Sequence, residues 1–103
     1  MSPQLINRAK KKAAQSICKY RISAMAFDKQ GVLLGTSVNK PRWRHPQGGI
    51  HSEMQLMRHY GSSIKTIVIC RVNKSGDLLP IDPCVMCSEK AHDLRIKIIS
   101  IKK

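Results

Sequence analysis

Two short clusters hold the side chains of this chain that could do chemistry. His51-Ser52-Glu53 sets an imidazole and a carboxylate two residues apart, and Pro83-Cys84-Val85-Met86-Cys87 sets two thiols three residues apart. Positions i and i+3 share a helix face, so Cys84 and Cys87 can grip one ion between them. If they open a helix, its dipole and unpaired N–H groups favour thiolate over thiol. Pro83 suits that place because it lacks the donor that would go unpaired there. His51 and Glu53 would diverge in mid-helix, yet both reach a point just beyond a helix N-terminus.

One imidazole, two thiolates and a neighbouring carboxylate make the ligand set of a zinc ion with one coordination position left open. His51, Cys84 and Cys87 are the expected ligands, Zn2+ the expected cofactor, and Glu53 an acid beside the ion that does not bind it. A structural zinc is closed by four protein ligands, whereas a catalytic one keeps a place for water. Cys18, Cys70, His45, His59 and His92 are the candidates for a fourth ligand, and none has motif-like spacing. Cys70 lies in the most apolar run and reads as core. His45 reads as a solvated loop residue, and His59 and His92 as surface or packing residues. The open site is the better reading. Water on such a zinc ionises near about pH 7, and Glu53 can take its proton and pass it on.

The chain is 103 residues long, enough for one domain with a single core. Nineteen basic against six acidic residues give a formal charge of +13, which favours polyanionic partners; general basicity without a specific partner is the bland alternative. No run of about 18 apolar residues is present, and the first residues carry no apolar signal core. A cytoplasmic protein without a membrane segment is expected. In that setting four cysteines, two of them in Cys-x-x-Cys, point to metal rather than to disulfides.

The elements that must position these groups follow from periodicity. Leu5, Ile6, Ala9, Ala13 and Ile17 recur at helical spacing and predict a helix over 3–18, with Arg8, Lys10, Lys11 and Lys12 mostly on the other side. That basic side reads first as a solvated face and second as a phosphate-binding one. Residues 21–27 and 32–38 predict two strands joined by a turn at Asp28-Lys29-Gln30-Gly31. Two prolines and two glycines in 39–49 predict a long loop without regular structure. A helix over 50–60 stops at Gly61, 64–72 is the central strand, and a helix runs from Asp82 or Pro83 to about Leu94. A last strand covers 96–101, parallel to the central one because a helix crossover joins them.

The order H-x-E, then P-C-x-x-C, is the signature of zinc-dependent nucleobase deaminases. With a strand–turn–strand before it and a strand between its halves, the pattern resembles the cytidine deaminase-like superfamily over roughly residues 5–101. Pro83 to Cys87, followed by His92 and Arg95-Ile96, is similar to the corresponding helix of bacterial tRNA adenosine deaminases. His51-Ser52-Glu53 is similar to those enzymes and to deoxycytidylate deaminases. Asn39-Lys40-Pro41-Arg42 and Leu79-Pro80-Ile81-Asp82-Pro83-Cys84, in so small a chain, resemble compact phage and bacterial members.

The resemblance implies an α/β, three-layer cytidine deaminase-like fold: a mixed sheet of about four strands with helices on both faces. It implies His51, Cys84 and Cys87 as zinc ligands and Glu53 as proton shuttle. Asn39 matches an asparagine that contacts the nucleoside, with a simple turn residue as the alternative. Trp43 between Arg42 and Arg44 suits stacking on a base while the arginines hold phosphate, although packing of the loop on the core explains it equally. Pro83 counts with these substrate-side residues. Most members carry further elements after the fourth strand; a terminal strand with an open edge invites pairing with a partner, so a homo-oligomer is expected. The implied activity is hydrolytic deamination of a cytosine-containing nucleoside, nucleotide or single-stranded nucleic acid. Adenosine deamination on RNA is the alternative. A basic nucleic-acid-binding module with a structural zinc is the reading from a different class. A Cys-x-x-Cys redox protein would leave His51-Ser52-Glu53 unexplained.

Overall fold

The computed structural model describes residues 3–16, 21–42, 45–50, 52–83 and 85–101, with 40–42, 45–50 and 85 followed along the backbone alone. Pro3, whose fixed φ suits a first helical turn, opens α1 (Pro3–Ala13). Leu5, Ile6, Ala9 and Ala13 face the sheet, and the two alanines are fully buried. The helix ends sooner than the spacing predicts. Gln15 N and Ser16 N turn back to the carbonyls of Lys12 and Ala13, and the Ser16 hydroxyl is bonded to Asn39, far along the chain. That long-range bond ends the helical path.

Strands β1 (Arg21–Phe27) and β2 (Leu33–Val38) form the predicted hairpin. Asp28 Oδ1 accepts from the N–H groups of Gln30 and Val32, both at 2.9 Å, and Gly31 supplies the left-handed residue at φ +81°. The register slips between Ala26 and Phe27, so Leu34 is the extra residue of a bulge and Gly35 comes opposite Ala26.

Segment 39–49 is more regular than predicted. It contains two paired strands, β3 (Lys40–Arg42) and β4 (His45–Ile50), in an antiparallel ribbon separate from the main sheet. Lys40 pairs with Ile50 and Arg42 with His45, so one residue opposes four across the irregularity. Pro41, Pro46, Gly48 and Gly49 all fall in that gap. A ribbon with a wide bulge tolerates the residues that a regular central strand would reject.

Strand β5 (Thr66–Val72) is central, as its apolar run predicts. It pairs antiparallel with β1 along its length and parallel with β7 (Lys97–Ser100), and β6 (Leu78–Leu79) pairs antiparallel with its last residues. The main sheet is therefore mixed and five-stranded, one more strand than expected. The crossover helix between β5 and β7 is α3 (Val85–Asp93), and α2 (Ser52–Tyr60) precedes β5. Gly61, at φ +54°, ends α2.

Alternation along the strands sorts the core into two layers. Met25, Val68, Cys70, Val72 and Ile101 pack under α1. Ala24, Ala26, Ile67 and Ile69 pack under α2 and α3, with Leu56, Met57, Cys87 and Ala91. Small residues at 24, 26 and 35 let α2 approach closely; the Tyr60 ring lies where a Cβ on Gly35 would be. The result is a sheet with helices on both faces. No described helix is long and apolar enough to cross a membrane.

Candidate active site

Chain direction brings the first turns of α2 and α3 to one end of the sheet. The C-terminus of α2 feeds the start of β5, and the C-terminus of α3 feeds the start of β7. Because β5 and β7 are parallel and both helices lie on one face, the N-termini of both helices fall at the carboxyl ends of those strands. Open α/β sheets bind ligands at that end. The two helices also touch one another.

Two side-chain bonds fix the first turn of α2 to the end of β2. Ser37 Oγ donates to the Ser52 carbonyl at 2.5 Å, and Gln55 Nε2 donates to the Val38 carbonyl at 2.7 Å. Within that turn Glu53 is only 4% exposed, an unusual position for a carboxylate. Next to it, Ser52 Oγ is fully buried and has no hydrogen-bond partner among the described residues. A buried hydroxyl without a partner is costly and fits a polar occupant at this helix end. Cys87, in the first turn of α3, is fully buried.

The described part of the motif thus places a buried thiol, a buried acid and an orphaned hydroxyl in the first turns of α2 and α3. Among the described residues no three potential ligands cluster; of the predicted ligands, His51 and Cys84 lie outside those residues, as do Trp43 and Arg44. Arg42 lies in β3, and Pro83 is half-buried just before α3. Among the other candidate ligands, Cys18 is outside the described residues and His45 lies in β4 rather than a loop. His59 and His92 are exposed, His59 standing edge-on to Tyr60. Cys70 is fully buried in the α1 layer, where burial pushes its thiol up to about 11 against the lowering influence of Lys10.

Asn39 is buried between β2 and β3, where its Oδ1 accepts from Ser16 Oγ at 2.7 Å and from Ile22 N at 3.0 Å. It ties the end of α1, the start of β1 and the entry to the β3–β4 ribbon together. Ser16, Ser37 and Gln55 are the residues that sequence reasoning misses. Their partners lie 23, 15 and 17 positions away, and no local pattern announces them.

No protein-family model matches the chain, and no curated protein matches it. Solved structures do. The architecture is the cytidine deaminase-like fold. Cytidine deaminase from Burkholderia pseudomallei is similar at a TM-score of 0.69 and 14% identity, over 99% of this chain and 87% of that one. Cytidine deaminase from Mycobacterium leprae matches at 0.64 and 18%, over 91% and 82%. The dCMP deaminase of cyanophage S-TIM5 matches at 0.63 and 19%, over 97% and 84%.

Proposed function

We propose that this protein is a zinc-dependent hydrolytic deaminase of a cytosine-containing nucleoside, nucleotide or nucleic acid. The observation that carries the reading is Glu53, buried beside the orphaned Ser52 hydroxyl at the sheet end where α3 also begins. The cytidine and dCMP deaminases among its structural neighbours support the choice of base. His51, Cys84 and Cys87 would hold the ion, which would supply an activated water for attack at the amine-bearing ring carbon. Glu53 takes one proton from that water and delivers it to the ring nitrogen; it then takes the second proton from the added hydroxyl and gives it to the departing amine, so that ammonia leaves and a carbonyl remains. Asn39 holds the chain that leads to Arg42, Trp43 and Arg44, which with Pro83 border the substrate. The protein works in the cytoplasm as a homo-oligomer.

The test is a panel of cytidine, deoxycytidine, their monophosphates, adenosine, and single-stranded DNA and RNA, incubated with zinc-replete protein. Mass spectrometry reads the exchange of amine for carbonyl. One cytosine class is converted, and Glu53→Gln lowers the rate by about 10²–10⁴ while zinc content and melting temperature stay unchanged. Zinc bound with no conversion of any substrate overturns the proposal in favour of a binding module.

A further inference from the structure

On the face of the sheet away from Glu53, a cleft of about 220 Å³ runs between α1 and β2, lined by Arg8, Lys11, Lys12, Gln15, Met25 and Thr36. Residues 8, 11 and 12 form one stripe of α1, and Gln15 lies in the turn that follows it. Thr36 lies opposite Met25 in the hairpin register, so both belong to the sheet face under α1. β2 is the outer strand in the order β2-β1-β5-β6, which leaves the cleft at the border of the sheet. No acidic residue occurs before Asp28, and Arg8, Lys11 and Lys12 have no ion-pair partner among the described residues.

We propose that this cleft binds the phosphodiester backbone of a single nucleic-acid strand. Arg8 to Lys12 spans about 6 Å of helix axis, and their long side chains extend that reach to neighbouring phosphates of one strand. Three cations of one helix face line the same cleft at the sheet border, which suits a strand passing across it. Basic residues in a last helical turn also complement the helix dipole, but that role requires no cleft. The site is separate from the proposed deamination chemistry, so it holds whether or not that reaction does.

The test is a fluorescence-anisotropy titration of the full chain with a labelled single-stranded RNA that lacks cytosine, from 50 to 200 mM salt. Three variants accompany it: Arg8→Gln/Lys11→Gln/Lys12→Gln, the charge-matched Lys65→Gln/Lys74→Gln/Lys97→Gln on exposed positions, and the single Lys11→Glu. Three phosphate contacts predict a log–log salt slope near −2 and a loss of about 20-fold in affinity over that range. The cleft triple variant loses this salt-dependent share, and Lys11→Glu weakens binding in the same direction with its melting temperature kept. The charge-matched variant and Glu53→Gln bind like the parent. Equal losses in both triple variants would mean unspecific charge and overturn the proposal. So would binding to anionic phosphatidylserine vesicles without binding to RNA, or displacement of the RNA by equimolar inorganic tripolyphosphate.

Discussion

Replacing Asn39 with alanine tests whether this residue is a structural clamp. Its Oδ1 serves two donors in a buried position. The Ser16 hydroxyl has a second acceptor, the Asn39 carbonyl at 3.1 Å, and keeps a partner in the variant. The part-buried Ile22 N–H loses its side-chain acceptor, and leaving such a donor unsatisfied costs about 1–3 kcal/mol when water cannot replace the partner. A loss near 2 kcal/mol lowers the melting temperature of a domain this size by about 10 °C. Asn39→Asp keeps an acceptor for both donors and recovers most of that loss, and Ser16→Ala costs less than Asn39→Ala because Ile22 remains paired. Calorimetry and urea titration of the three variants read these differences. A melting temperature for Asn39→Ala within about 2 °C of the parent would refute the clamp. Activity per folded molecule adds a second reading: if Asn39→Asp restores stability but leaves kcat/KM low, the amide faces substrate as well.

Gly35→Ala drives a methyl group into the Tyr60 ring, whose Cε2 and Cζ lie 2.9 Å from the new atom's position. Overpacking of this kind costs about 1–3 kcal/mol, and a double-mutant cycle with Tyr60→Ala reads a compensating coupling. For Cys70 the folded pKa, about 11, lies above the group's ordinary value of 9.0 because burial disfavours the thiolate. The stability linked to this thiol is complete below pH 9 and is lost as pH rises toward 11. At pH 8 its thiolate is roughly 100-fold scarcer than in the unfolded chain; alkylation followed by peptide mapping shows Cys70 labelled that much more slowly in the native protein than in guanidinium.

Periodicity made the main elements legible. The alternation of 21–27, the apolar run of 64–72 and the helical spacing of 5, 6, 9 and 13 each report a face that must be buried, and a buried face leaves a local pattern. The crossover rule added the parallel pairing of β5 and β7. The motif itself is legible because coordination chemistry restricts residue types at fixed short spacing. The β3–β4 ribbon was not, since its strands rest on pairing across a bulge and contain the prolines and glycines that locally argue against strand.

By itself, then, the sequence determined the fold class and the strong positive charge, and it suggested a donor set, all of them properties of composition and short-range order. Only the tertiary structure decided that Glu53 is buried, that Asn39 clamps three elements, and that the basic stripe of α1 overhangs β2 to form a cleft. Each of these depends on partners 15 or more positions apart in the chain. Such contacts are set by how the faces of the sheet are covered, and nothing in a window of neighbouring residues encodes them.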